Sequence, residues 1–277
     1  MAAKKTPGIA LITGAASGIG KDTGIAFAES GALRVIFADL NEPGANEAAF
    51  ESKKYATNLQ YEGRALKVDV TIEEDVQRMV DMVVHDHGRI DYFVHSAGIG
   101  PDSAKPISDL SLNEFDKVGN VNLKGTLLCN RAVLKAMGAQ STSTYEGRNG
   151  SRDIGRGSIV NVGSLNSLGP LPGKLPYTAA KHGVTAITKT AALESSKLGI
   201  RVNMVCPSWV ASPMTDAERE MNPHLEGLIK IAVPCGRMAT TDEVSDTITF
   251  LCSPAASYIT GQAIVIDDGL SLTVRLA

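Results

Sequence analysis

Three things are scarce in this chain of 277 residues. Cysteine is one: Cys129, Cys206, Cys235 and Cys252 are scattered and form no C-x-x-C pair. That spacing argues against a disulfide framework or a zinc site and for free thiols in a reducing compartment. Long apolar runs are the second, since no stretch nears the ~18 consecutive apolar residues of a membrane helix. Met1 to Gly8 runs straight into a strand-like segment, without the apolar region and cleavage site of a secretory signal, so a cytoplasmic location is expected. The third is an excess of charge: Lys plus Arg number 27 against 30 for Asp plus Glu, a net charge of −3. Nothing there draws the chain to nucleic acid or anionic lipid. His85 and His87 alternate on a helical stretch, so their rings diverge and no metal site is expected.

What is present is an ordinary globular composition, 43% hydrophobic and 21% charged. Short β-branched runs alternate with longer segments of helical period, the pattern of βαβ units and a parallel sheet. The strand candidates are Ile9–Thr13, Arg34–Ala38, Ala65–Asp69, Asp91–His95, Ser158–Val162, Arg201–Val205 and Ala263–Asp267. Helices are expected over Gly18–Ser30, Glu42–Thr57, Glu73–His87, Leu112–Met137, Pro176–Leu198 and Asp242–Ser253. Right-handed crossovers then leave one α/β architecture, a doubly wound, seven-stranded parallel sheet with helices on both faces. No linker separates two cores, so residues 1–277 read as a single domain. Gly138–Arg156 is polar and aperiodic and reads as a surface loop insertion away from the ligand edge. Residues 208–235 read as a lid over the substrate.

The first strand ends in Thr13-Gly14-Ala15-Ala16-Ser17-Gly18-Ile19-Gly20, and a helix follows at once. Glycines there let the backbone approach a pyrophosphate, and the helix N-terminus supplies N–H donors. The spacing is Gly-x-x-x-Gly-x-Gly rather than Gly-x-Gly-x-x-Gly, so the turn alone is only moderately specific. Asp39 ends the second strand, where a carboxylate would accept hydrogen bonds from an adenosine ribose; a turn-initiating Asp is its alternative. A carboxylate there repels a 2′-phosphate, and neither Ser17 nor Leu40 offers a cation, so NAD is favoured over NADP. Asp69-Val70 is similarly placed for an adenine edge, or for a helix N-cap. Asn122 lies inside a helix-patterned stretch that Asn disfavours, which suggests a local bend with a bound water; a tolerated polar residue on a half-exposed face is the alternative. Ser164 follows a strand at the ligand edge. Tyr177 and Lys181 stand four apart, on one face of a helix. A phenol of pKa ≈ 10 is a poor proton carrier near neutrality, and a neighbouring ammonium with an oxidised nicotinamide would lower it.

This ordered set resembles the short-chain dehydrogenase/reductase family, in its shorter branch, from about Ile9 to Leu270. The resemblance implies a Rossmann fold, with Asn122, Ser164, Tyr177 and Lys181 as a catalytic tetrad. It implies a cofactor site of Gly14, Ser17, Gly18, Ile19, Gly20, Asp39, Leu40, Asp69, Val70, Ser96, Ala97, Gly98, Pro207, Val210, Ser212 and Met214, with Tyr177 and Lys181. Substrate contacts are expected from Ser164, Asn166, Tyr177, Ser208 and Trp209. Gly236-Arg237, Asp242-Glu243-Val244 and Tyr258 through Gly269 resemble the family's C-terminal signature. Four positions depart from its pattern. Asn-Asn-Ala-Gly is His95-Ser96-Ala97-Gly98, with His95 expected as a packed histidine. Pro-Gly is Pro207-Ser208, the carboxamide-side Thr is Ser212, and Asp-Gly-Gly is Asp267-Asp268-Gly269.

The expected chemistry is reversible hydride transfer between NAD(H) and a secondary alcohol or ketone. Trp209, Met214, Met221, Leu225, Leu228 and Ile231, with Leu165, Leu168 and Leu175 opposite, favour a largely apolar or cyclic substrate; packing of the lid is the competing role of these residues. A non-redox enzyme on a retained nucleotide site (a cyclase or dehydratase) and a nucleotide-sensing binding protein are the alternatives. The intact Ser164, Tyr177 and Lys181 spacing argues against both. The resemblance also implies a homo-oligomer, a dimer or tetramer.

Overall fold

A computed structural model describes residues 5–273 of the chain. The first half runs β1 (Ile9–Thr13), α1 (Gly18–Glu29), β2 (Arg34–Asp39), α2 (Glu42–Ser52), β3 (Glu62–Lys67), α3 (Glu73–His87) and β4 (Tyr92–His95). There follow α4 (Leu112–Gly119), a π-helical turn (Asn120–Lys124), α5 (Gly125–Ala139), β5 (Ser143–Gly147), β6 (Gly150–Gly155) and β7 (Gly157–Val162). The remainder is α6 (Leu175–Ser195), β8 (Ile200–Pro207), α7 (Pro213–Met221), α8 (Leu225–Ala232), α9 (Thr241–Cys252) and β9 (Ala263–Ile266). Seven strands form one sheet in the order β3-β2-β1-β4-β7-β8-β9, and every pair is parallel. The order reverses between β1 and β4, which opens a crevice at their carboxyl ends, where doubly wound sheets bind ligands.

Central strands buried on both faces read as unbroken apolar runs, as Ile9–Thr13 does. One face packs on α3, α5 and α6 through Val80, Val133 and Ala191. The other packs on α1, α2 and α9 through Phe27, Ala48 and Ile248. The sheet therefore has helices on both sides, and its carboxyl edge is held by two cores.

Three sequence expectations are corrected. β3 lies at Glu62–Lys67 rather than Ala65–Asp69, because it is an edge strand with a half-exposed, charged alternation instead of an apolar run. The helix expected over Leu112–Met137 is interrupted by the π-helical turn at Asn120–Lys124. Gly138–Arg156 is not a structureless loop: β5 and β6 pair as an antiparallel hairpin. Its two strands present only exposed and half-buried residues, so no apolar period betrays them. Arg152 stacks 4.8 Å from the Tyr145 ring centroid and donates to the Pro254 carbonyl at 2.9 Å, tying the hairpin down at the amino end of the sheet.

Candidate active site

At the switch point, Thr13 and His95 sit side by side in the β1–β4 ladder, and their side chains share a 2.9 Å hydrogen bond. The turn after β1 then closes on β4: Gly14 has φ +69°, and a Cβ on it would lie 2.6 Å from the Ala97 nitrogen. Only glycine fits there. The next residues open α1, whose N-cap Ser17 makes no side-chain cap bond, so the first N–H groups of the helix point free. Such a helix end, bare of side chains, suits a pyrophosphate. Gly18 faces Ser212 and Pro213 across this turn. Asp39 accepts the Ala16 N–H at 2.9 Å and the Asn41 N–H at 2.9 Å, which pins its carboxylate beside the same turn. A glycine turn, free helix N–H groups and a pinned carboxylate are a donor and acceptor set that a dinucleotide would fit.

Asp69 accepts from both the Thr71 N–H and the Thr71 hydroxyl, at 2.9 and 2.7 Å, closing the turn before α3. Its carboxylate is therefore engaged locally, while Val70 is buried beside Gly125. Leu40 is exposed, and Ile19 is half-buried at the start of α1. The Val210 side chain packs in the core, and Pro207 is buried at the end of β8.

The tetrad expected from the sequence converges below the turn. Asn122 is buried in the π-helical turn. Its side-chain amide accepts the Ile99 N–H and donates to the Ile99 carbonyl, both at 2.8 Å, so the bend is held by a strand-like pair of bonds. Gly98 joins the two halves: a Cβ there would lie 3.3 Å from Asn122 Oδ1 and 3.7 Å from Lys181 Nζ. Ser164 caps the short turn after β7, its Oγ accepting the Asn166 N–H at 3.1 Å and keeping its own proton to donate. Asn166 is buried and donates to Thr178 Oγ1 at 3.3 Å.

Tyr177 and Lys181 stand one turn apart on α6, which starts at Leu175 with Pro176 in its first turn. Lys181 is 6% exposed, donates to the Val162 carbonyl at 2.8 Å, and has its Nζ 5.5 Å from the Tyr177 ring centroid. Burial lowers this ammonium to about 8 and pushes the Tyr177 phenol up to about 12, with the Ser164 hydroxyl pulling the phenol partway back. The Glu218 carboxylate adds to the upward push. Lys181 alone therefore does not bring the phenol into the working range. His95 lies beneath, 2% exposed, and burial with the nearby Lys181 charge drops it to about 3. It is packed and neutral as expected, but only half satisfied: among the described residues its Nε2 has no partner.

Above these groups opens a cleft of ≈ 1210 Å³ whose walls include Ser17, Gly98, Ser164, Asn166, Tyr177, Ser208, Trp209 and Met214. A phenol and a serine hydroxyl thus face the cleft with a buried lysine behind the phenol ring, and Ser17 at the start of α1 also lines it. The family model described as Enoyl-(Acyl carrier protein) reductase matches residues 14–271. The chain belongs to the short-chain dehydrogenase/reductase family. Short-chain dehydrogenase anuF of Penicillium roqueforti is 44% identical over 268 residues, 97% of either chain. Short-chain dehydrogenase srdC of Neurospora crassa is 43% identical over 269 residues, 97% of this chain and 98% of that one. Among solved structures, levodione reductase matches with a TM-score of 0.87 at 29% identity, covering 98% of this chain and 100% of that chain.

As a short-chain dehydrogenase/reductase, the chain differs from its sequence reading mainly on the substrate side. Leu165, Leu168 and Met221 line the cleft as expected. Leu225 does not: it is buried with Ile229 and Val233 beneath Trp209, while Leu228 and Ile231 point outward. Leu175 also lies outside the lining. The sequence reading missed Leu171, Lys174, Glu218 and the C-terminal Leu270, Ser271 and Thr273, all of which line it. Lys174 and Glu218 are 44 residues apart and pair at 2.6 Å, a contact for which no local spacing gives a signal.

Proposed function

We propose that the protein is an NAD(H)-dependent oxidoreductase interconverting a secondary alcohol and its ketone, with a largely apolar or cyclic substrate. The observation that carries this is the shared cleft wall of Ser164 and Tyr177, with the Lys181 ammonium buried behind the phenol ring. When bound, the nicotinamide supplies or accepts the hydride. Tyr177 takes the hydroxyl proton in oxidation and returns it in reduction, while Ser164 donates to the substrate oxygen. Lys181 has two donors left beyond Val162 for a nicotinamide ribose, and its charge, with that of an oxidised nicotinamide, draws the phenol down. Asn122 has its amide filled by Ile99, so a water held there for proton relay would bond its main-chain carbonyl, which already accepts from Thr126 at 2.6 Å. Asp39 supports NAD over NADP, because a 2′-phosphate beside its carboxylate is repelled.

No helix among the described residues is long and apolar enough to cross a membrane, and three of the four cysteines are buried and free. A cytoplasmic homo-oligomer, dimer or tetramer, goes with this reading. The test is a fluorescence titration with NADH and NADPH, followed by NADH oxidation with a panel of cyclic ketones and simple sugars. Tighter binding of NADH and turnover of cyclic ketones are expected. Turnover confined to sugars defeats the apolar substrate, and cofactor binding without redox turnover favours a cyclase, a dehydratase or a binding protein.

A further inference from the structure

Most of the cleft wall is apolar, and its charged groups are few. Lys117 pairs with Asp102 at 2.7 Å, with both side chains more than half exposed. Lys174 and Glu218 form the other pair, with Nζ and Oε1 2.6 Å apart and side chains 17% and 24% exposed. It bridges the residue before α6 and the middle of α7, and both partners line the cleft. Among the described residues this is the one hydrogen bond that either head group makes. An ammonium has three donors and a carboxylate about four acceptor sites, so most of the capacity of both groups is unspent. Burying a polar group beside an apolar ligand without filling that capacity is costly.

We propose that Lys174 and Glu218 form a specificity site for a second, uncharged oxygen of the substrate, a hydroxyl or carbonyl carried on its apolar body. The inference rests on the ketone reductase reading above and deepens it. A hydroxyl can donate to Glu218 and accept from Lys174 without breaking their ion pair. A carboxylate can use only Lys174 and meets Glu218 and the nearby cleft residue Glu220, so anionic substrates are disfavoured. A bare hydrocarbon leaves both head groups unfilled. Lys174 precedes Tyr177 by about one helical turn, so the second oxygen is read close to the reacting carbon rather than at the far mouth.

Trp209 is the single tryptophan of the chain and lines this cleft, so its quenching reports ligand binding without turnover. The probes are 2-decalone, its 6-hydroxy and its 6-carboxy derivatives, titrated into the NADH complex of a Tyr177→Phe background that turns over too slowly to consume them, with NADH oxidation read on the unsubstituted protein. The hydroxy ketone is expected to bind about tenfold more tightly than the parent, the size of one or two net hydrogen bonds, and the carboxylate more weakly than either. Lys174→Met and Glu218→Gln should each cut the hydroxyl advantage to about threefold or less, and Lys174→Arg should retain most of it. Thermal melts establish that each variant is folded. An absent hydroxyl advantage overturns the proposal, as does one that survives both variants or a carboxylate that binds as well as the hydroxyl. If the variants weaken all three ligands by one common factor, the pair is only a latch for α7. NADH binding with no quench and no NADH oxidation by any of the three ketones fails the ketone reading itself.

Discussion

The Lys181 ammonium lies 5.5 Å from the centroid of the Tyr177 ring, held there by the Val162 carbonyl at 2.8 Å. Lysine thus flanks the phenol without a hydrogen bond to its oxygen, and burial, only partly offset by the Ser164 hydroxyl, leaves the phenol near 12. A proton carrier at that value is poorly matched to neutral pH, and on the proposed function the positive charge of a bound oxidised nicotinamide would lower it.

Tyr177→Phe should therefore lower kcat by the ~10²–10⁴-fold of a positioned acid–base group while NADH binding stays within about twofold. Steady-state NADH oxidation and a parallel fluorescence titration check both halves. Undiminished turnover in the phenylalanine variant removes Tyr177 from the proton path.

The proposed preference for NAD rests on the charge and position of Asp39. Its carboxylate is pinned by the Ala16 and Asn41 N–H groups, so it cannot swing away from a 2′-phosphate. Asp39→Ser should narrow the NADH-over-NADPH preference by at least about fivefold, since one close like-charge contact is worth about 1 kcal/mol in water and more near a protein surface. Affinities of both cofactors for both proteins measure this. An unchanged ratio assigns the choice to other residues.

The sheet could be read from the sequence because its central strands are buried on both faces and show as continuous apolar runs, whereas β3 and the β5–β6 hairpin are half-exposed and carry no such mark. The glycine turn and the Tyr177–Lys181 pair could be read from short spacings along one turn or helix, and the positions of Asp39 and Ser164 from the strand ends they follow. Asn122 was legible as a bend, since asparagine fits poorly in a helix, but its partner Ile99 was not. Lys174–Glu218 was invisible for the same reason: two distant segments meet there only after folding. The segment after Trp209 shows how apolar residues mislead, because Leu225 packs beneath Trp209 and Ile231 faces outward.

His95 gives the fold an acid-sensitive point. Burial depresses its pKa from 6.5 to about 3, so the unfolded chain binds a proton that the native state refuses. Between those values the unfolded state holds more protons, and stability falls as pH drops from 6.5 toward 3, by up to about 4 kcal/mol. His95→Asn removes the titrating group and should flatten this limb. Urea midpoints of both proteins from pH 7 to pH 4 test it; parallel curves would show that carboxylates elsewhere dominate the acid limb.

Asp268 sits at φ 50°, the one described non-glycine residue in the left-handed region, where the family pattern carries glycine. Asp is among the few residues that accept this conformation, and here its carboxylate also takes the Cys235 N–H at 2.6 Å. That bond ties the end of the sheet to the segment after α8. Two effects can then be separated by substitution. Asp268→Ala keeps the strained backbone and loses the bond, and should cost about 2–3 kcal/mol. Asp268→Gly loses the bond but relaxes the backbone, and should cost about 1 kcal/mol or less. Denaturant unfolding of the two variants is expected to rank alanine well below glycine. Equal losses would mean that the backbone at Asp268 carries no strain and that the Cys235 bond accounts for the whole effect.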